Sequence, residues 1–267
     1  MFKTATLTFA LVFAVASVAD AQAAASAYAA GSHRYRITRE ARSTQEMMGQ
    51  TQSGTVTTYE ELTLDLRAAG RDSMRFSFTI DSTFRQSDLP GAGESGAAKG
   101  RKISGQLSAR GMVHQFDKDS AGTADVSAGY RNFLPQLPAG GVKAGMLWSD
   151  TLQTPFSQGG IEGTTVTIIA SRVLGDTTVG GQKAWRIERI GTLSMSGTGN
   201  QQGTDLILNG AGTANGVSYI GETGVYLGAT STQDLSITVE VPAASMTIPI
   251  SQTTLTKVER IPAPAKR

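Results

Sequence analysis

The sequence predicts an all-β protein with very little helix, whose long antiparallel strands form a barrel, a half-barrel or two packed sheets. Three observations predict this class. Apolar and polar residues alternate with a period of two in many segments, turn residues recur at short intervals, and no apolar stripe of helical period is sustained. A period of two places alternate side chains on opposite faces of a strand. The absence of helices between strands excludes parallel folds that need helical crossovers.

The clearest pair of strands lies in the first half of the chain. Its first strand carries Leu62, Leu64 and Leu66 in alternation with polar residues, and its second carries a bulkier apolar face. The turn 68–72 between them is short, which predicts an antiparallel hairpin. The apolar face of the second strand consists of Met74, Phe76, Phe78 and Ile80.

The same reasoning predicts strands along most of the remaining chain. A proline removes a ladder donor, so Pro249 predicts an edge strand or a bulge at that point. Val126–Leu134 is expected to form a short helix, whereas a helix at Glu40–Gln50 is not expected. The further predicted strands are 34–39, 103–109, 112–117, 147–154, 164–173, 183–195, 205–210, 217–221, 226–241 and 245–258.

The first residues are typical of a signal peptide. Lys3 precedes an apolar run from Ala5 to Ala19, and small residues follow at Ala21 and Ala23. The run is shorter than the roughly 20 apolar residues that span a bilayer. We therefore expect cleavage after residue 23 and export to the periplasm, the cell envelope or the extracellular space. No later segment approaches spanning length, so no transmembrane helix is expected after cleavage.

A Pro/Gly-rich segment interrupts the strand pattern near the middle of the chain. We expect residues 24–131 to form a first β half, 132–141 a connection, 142–261 a second β half and 262–267 a tail. The sequence leaves open whether the halves form one domain or two, because the chain length allows both.

No residue pattern commits the chain to catalysis, a cofactor or a metal. There is no cysteine, which excludes disulfides and thiolate ligands, and the two histidines, His33 and His114, are far apart in sequence. Gly91–Gly96 matches a dinucleotide-binding spacing, but no strand precedes it and no helix follows it. A net charge of +2 gives no reason to expect a nucleic acid partner. We expect neither catalytic residues nor an enzyme.

A basic run near the start of the mature chain has two interpretations. Arg34 and Arg36 share one face of a predicted strand, with Arg39 and Arg42 following. They could contact an anionic surface such as lipid head groups. Acidic residues on neighbouring strands, among them Asp81, favour cross-strand ion pairs instead.

The second half carries a distinctive spacing of proline, glycine and tryptophan. The segment Leu134–Pro138 is followed by Val142–Gly145 and Trp148, with Gly224–Gly228 near the end. This layout resembles a group of uncharacterised secreted bacterial all-β proteins. Those proteins are loosely similar to periplasmic lipoprotein and lipid carriers, and the resemblance implies a curved antiparallel sheet that cups an acyl chain.

An integral outer-membrane barrel is the architectural alternative, because alternating strands suit it as well. Aromatic residues make up only 6% of the chain, too few for two aromatic girdles. The chain also ends on a basic, proline-containing tail instead of a strand with a terminal aromatic residue. These observations favour the form that is not embedded in a membrane.

The leading hypothesis is a non-enzymatic exported envelope protein that binds an apolar ligand, either a lipid or a lipoprotein, or a protein partner. The candidate binding face is Met74, Phe76, Phe78 and Ile80, which alternatively forms ordinary core. A structural or adhesive surface protein is the second hypothesis, because Leu193–Thr256 is rich in Ser, Thr and Gly. The sequence leaves the oligomeric state and the ligand open.

Overall fold

One antiparallel sheet dominates the computed structural model of this protein, which describes residues 25–47, 49–88, 99–117, 129–158, 160–201 and 203–262. In chain order the strands are β1 (Gly31–Met47), β2 (Gln50–Ala68), β3 (Ser73–Ser87), β4 (Lys102–Ser108), β5 (Val113–Phe116), β6 (Leu147–Gln158), β7 (Ile161–Val179), β8 (Gln182–Gln201), β9 (Thr204–Gly221), β10 (Tyr226–Val241) and β11 (Met246–Ile261).

Within the described residues, the sheet has eleven strands, and the first and last of them in chain order pair with each other at its centre. The spatial order is β5-β4-β3-β2-β1-β11-β10-β9-β8-β7-β6. β1 and β11 pair from Arg34 with Ile261 to Gln45 with Ile250, so the ladder crosses between the two predicted halves. The outermost strands of the described sheet, β5 and β6, do not pair with each other, and the sheet stays open. The predicted all-β class is confirmed, with the half-barrel as the form observed.

The sheet curls so that strands far apart in the order face one another. Gln52 of β2 and Phe156 of β6 line the same cavity, although six strands lie between β2 and β6 in the sheet order. Side chains such as Tyr35 and Ile37 therefore point to a concave face, and their neighbours in sequence point to a convex face.

The hydrophobic core occupies one end of the concave face. Its residues come from the end of β2 and the start of β3. The start of β1, the start of β8 and the end of β9 lie at the same end of the sheet and also contribute. The most deeply buried side chains include Tyr35, Ile37, Leu62, Leu64, Phe76, Phe78, Ile103, Leu107, Ile187 and Ile220.

Two segments outside the sheet, residues 25–30 and 129–146, cover this core, and together we call them the end plug. Phe133 packs edge-on against both Tyr35 and Phe78, with ring centroids 5.2 Å apart in each pair. The Tyr28 hydroxyl donates a hydrogen bond of 2.6 Å to the carbonyl oxygen of Pro135, which ties the two plug segments together. The Trp148 indole N–H of β6 donates to the Gln136 carbonyl oxygen at 3.1 Å. The plug thereby closes one end of the half-barrel.

The predicted hairpin of β2 and β3 is confirmed, but the prediction for β9 was wrong. The Asn-Gly pairs at 209–210 and 215–216 favour turns, and residues 205–210 and 217–221 were predicted to be separate strands. The structure has one strand, Thr204–Gly221, that pairs with β8 on one side and β10 on the other along nearly its whole length. Two complete ladders outweigh a local turn preference, because each backbone group already has a partner.

Pro249 does not mark an edge strand, since β11 lies at the centre of the sheet. Pro249 pairs with Thr238 of β10. It lies just outside the ladder between β11 and β1, whose terminal pair on this side is Ile250 with Gln45. The described residues of Glu40–Gln50 form no helix, as expected, and most of them extend β1 beyond the predicted strand 34–39. The predicted helix Val126–Leu134 lies partly outside the described residues, and Gly129–Arg131 is helical. Within the described ranges, no helix is long and apolar enough to cross a membrane.

The position of His33 leads to a pH prediction. It lies on β1, and neither ring nitrogen hydrogen-bonds to any described residue. Desolvation by burial lowers the pKa of His33 below its usual 6.5, and the positive charge of Arg260 lowers it further. The negative charge of Asp65 acts in the opposite direction. The unfolded chain therefore takes up this proton first as the pH falls. We expect the free energy of unfolding to drop as the pH falls through about 6.5.

Thermal melts between pH 7.5 and pH 5 test this expectation, since His33→Gln should reduce the loss of stability at the acidic end. An equal loss in His33→Gln and in the parent protein would assign the effect to other groups.

Candidate ligand-binding trough

The apolar face predicted to bind a ligand is covered by the protein itself. Met74, Phe76, Phe78 and Ile80 are 2–5% exposed and point to the concave face beneath the end plug. Phe78 contacts the Tyr130 ring at a centroid distance of 5.0 Å. These four side chains are part of the core as the chain is described, and ligand contact at this face stays a prediction.

The same concave face continues beyond the plug as an open surface, which we call the trough. The longer strands, β1, β2 and β7 to β11, extend past the core, and the described residues place no segment over this extension. Its floor begins with small or polar residues, among them Ala41, Ala214, Gln233 and Thr254. The trough is thus a curved surface with apolar core at one end and solvent above it.

A second group of apolar side chains lies far along the trough, and we call it the distal apolar patch. All its members face the concave side and are half-buried, and all line a cavity of about 710 Å³. Gln45 and Gln52 contribute the wall from β1 and β2. The patch consists of Phe156, Met195, Leu208, Ile237, Val239 and Ile250.

Glycines in neighbouring strands allow the patch side chains to lie flat. A Cβ on Gly210 would come within 2.7 Å of the Met195 side chain, and one on Gly163 within 2.6 Å of the Phe156 ring. A Cβ on Gly212 would meet the carbonyl oxygen of Asp234 at 2.1 Å. Glycine permits close approach and strong local curvature in a sheet. The glycines therefore keep the trough open where larger residues would fill it.

A smaller cavity of about 320 Å³ lies where the trough meets the plug. Arg39 of β1 and Arg189 of β8 line it together with Phe133 of the plug and Leu193 of β8. Asp150 of β6 is on the same face, where burial raises the pKa of its carboxyl while the positive charge of Arg189 acts against that shift. This end of the trough therefore combines cationic and apolar groups.

The other candidate residues do not converge. Alternation in the predicted strand 112–117 places His114 at the core edge with Met112 and Phe116, but the structure shows His114 exposed, because a bulge in β5 leaves it outside the ladder. Among the described residues, no cluster of three or more His, Asp or Glu could hold a metal.

The arginines at the start of β1 divide between the two faces of the sheet. Arg34 and Arg36 lie on the convex face and form ion pairs with Glu61 at 3.2 and 2.7 Å, and Arg34 also pairs with Asp81 at 3.3 Å. The ion-pair interpretation therefore holds for these two residues. Arg39 faces the trough instead.

The distal patch was missed in the sequence although a signal was present. Leu235, Ile237 and Val239 alternate with polar residues inside the stretch that was interpreted as polar. No local sequence pattern indicated Arg189, because its position in the same cavity as Arg39 depends on the register of the strands between them.

No protein family model matches this chain, and no curated protein does. Solved structures give remote matches. OccK2 (OpdF) of Pseudomonas aeruginosa is 7% identical with a TM-score of 0.33, over 86% of this chain and 98% of that one. OccAB4 of Acinetobacter baumannii is 7% identical with a TM-score of 0.23, over 86% and 98%. A DUF1329 family protein of Desulfovibrio piger is 11% identical with a TM-score of 0.14, over 85% and 84%. The resemblance to uncharacterised secreted β proteins stays a prediction.

Proposed function

We propose that this protein is a non-enzymatic binding protein of the cell envelope that holds a long apolar molecule, such as the acyl chain of a lipid or lipoprotein, along its trough. The observation that carries the proposal is the distal apolar patch, which lines a cavity of about 710 Å³ on the concave face. A curved sheet can bind in this way because alternate residues line a cavity while their neighbours face water.

The distal apolar patch lies outside the hydrophobic core, at the other end of the half-barrel. The hydrophobic core already fills the other end of the half-barrel, and the patch side chains remain half-buried. Apolar surface left in water costs roughly 25 cal/mol per Å², so a patch of this kind gains free energy when an apolar ligand covers it.

The dimensions of the trough suit a chain-like ligand. From Arg39 to Gln45, which lies level with Ile237 and Ile250, the distance along β1 is about 20 Å at roughly 3.4 Å per residue. Small or polar residues form most of the trough floor between these positions. An extended apolar chain fits such a path better than a compact molecule does.

Fluorescence titration of the mature protein with parinaric acid methyl ester, an uncharged molecule with a long apolar chain, tests the proposal. We expect saturable binding in the parent protein and at least about a tenfold loss of affinity in Ile237→Asp, because a charge in the patch must be desolvated. Ser236→Asp is the matched control, since Ser236 is exposed on the convex face of the same strand.

Equal affinity in both variants would contradict the proposed site, provided that thermal melts show both to be folded. Absence of binding in the folded parent protein would contradict the proposed function.

A structural or adhesive surface protein is the second candidate. It is favoured by the convex face of the long strands, where Ser194, Ser196, Thr213, Ser236 and Ser251 are exposed. A folded parent protein that takes up no apolar probe, but adheres to envelope material through this face, would favour this candidate.

A further inference from the structure

Three arginines lie in a single row across the concave face, between the end plug and the rest of the trough. Thr58 of β2 pairs with Arg85 of β3 on one side and with Arg39 of β1 on the other. The row continues through small residues of β11, β10 and β9 to Arg189 of β8. We call Arg39, Arg85 and Arg189 the arginine row.

The hydrogen-bonding capacity of the row is not used by the described residues. The Nε atoms of Arg85 and Arg189 are buried and make no hydrogen bond there. Within the same part of the chain, no carboxylate lies within 4.0 Å of any of the three guanidinium groups, whereas Arg34, Arg36, Arg42 and Arg75 all form ion pairs. An unsatisfied buried donor is costly, which favours a partner from outside the sheet.

Among the described residues, two carboxylates lie near the row on the same face, and neither forms an ion pair with it. Glu60 is buried one position nearer the core and accepts a hydrogen bond from the Tyr130 hydroxyl. Asp150 faces Arg189 from β6 beyond ion-pair distance. Within the described part of the chain, three guanidinium groups and these two carboxylates give the arginine row a net positive charge.

The arginine row adjoins the part of the trough that is proposed to bind an apolar chain. Arg39 and Arg189 line the cavity of about 320 Å³, whose walls also include Leu152, Ile169 and Leu193 on the way to the distal patch. Guanidinium groups are well suited to carboxylate and phosphate groups, which they can bind through two parallel hydrogen bonds.

We propose that the arginine row binds the anionic head group of an amphiphile whose apolar chain extends along the trough toward the distal patch. This inference rests on the proposed function and adds the chemical class of the ligand, an amphiphile with a carboxylate or phosphate head group.

Parinaric acid and its methyl ester test the inference, because they share a tail and differ in head-group charge. We expect the acid to bind about tenfold more tightly than the ester. Arg39→Gln and Arg85→Gln should lower the affinity for the acid toward that for the ester and change the affinity for the ester much less, while Arg39→Lys should retain part of the preference. Arg42→Gln is the control, since Arg42 is exposed and paired with Glu40.

The outcomes separate the two proposals. Equal binding of acid and ester would overturn the head-group assignment and leave the apolar trough standing. Loss of both ligands in folded Arg39→Gln would also overturn it, because the residue would then support the trough instead of recognising charge. Failure of both ligands to bind the parent protein would overturn the proposed function itself.

A phosphatidic acid competitor distinguishes the two anionic head groups. Stronger displacement of parinaric acid by phosphatidic acid than by an equal amount of diacylglycerol supports recognition of phosphate as well as carboxylate. Equal displacement by the two lipids would overturn the assignment for phosphate. Inorganic phosphate alone should not displace the probe.

Discussion

Replacing Phe78 with alanine should lower the free energy of unfolding by about 3–5 kcal/mol. Phe78 is 2% exposed, and its ring lies 5.5 Å from that of Phe76, 5.0 Å from Tyr130 and 5.2 Å from Phe133. The substitution removes buried apolar surface, leaves a cavity and detaches two rings of the end plug from the sheet. Equilibrium denaturation in urea, followed by tryptophan fluorescence, measures the loss.

Phe84→Ala provides the matched control because it makes the same substitution on the same strand. Phe84 is 53% exposed on the convex face and has Tyr59 as its ring neighbour at 6.2 Å. We expect a loss of at most about 1 kcal/mol. Similar losses in the two variants would contradict the placement of the core on the concave face beneath the plug.

Replacing Gly212 with alanine should destabilise the protein by about 1–3 kcal/mol and weaken binding of an apolar probe in the trough. The new Cβ would lie 2.1 Å from the carbonyl oxygen of Asp234 and 2.8 Å from a methyl carbon of Leu235. A backbone atom cannot move aside as a flexible side chain can, so β9 and β10 must shift apart. The shift would alter the trough floor beside the distal apolar patch.

Gly221→Ala, in the same strand, is the control for this substitution. A Cβ at Gly221 would find its nearest atom, the carbonyl oxygen of Val225, at 3.4 Å, which is ordinary contact. The same urea titration and the parinaric ester titration should show little change in this variant. If Gly212→Ala were as stable as Gly221→Ala and bound the ester equally well, the curvature argument for the trough would be contradicted.

Much of the core could be predicted from local pattern. The alternation at Met74, Phe76, Phe78 and Ile80 indicated one buried face, and the short turn 68–72 indicated the hairpin with β2. The sequence could not show what covers that face. The covering residues, such as Phe133 and Tyr28, come from irregular segments distant in the chain, and no periodicity marks their contacts.

The candidate site was harder to predict from local pattern than the core, because it depends on the order of the strands in the sheet. The alternation of Ile237 and Val239 with polar residues is visible in the sequence, but their approach to Phe156 of β6 requires the curl of the whole sheet. In the same way, Arg39, Arg85 and Arg189 look unrelated along the chain. They share a row because six ladders fix the register from β3 through β8.

The sequence by itself determined the antiparallel β class, the positions of most strands and which residues share a face in strands without bulges. These properties follow from side-chain alternation and turn chemistry, which act over a few residues. Only the tertiary structure decided that β1 pairs with β11, that the sheet stays open and that a plug closes one end of it. Those features depend on packing and hydrogen bonds between distant segments, and they divide one continuous face into a buried core and a trough.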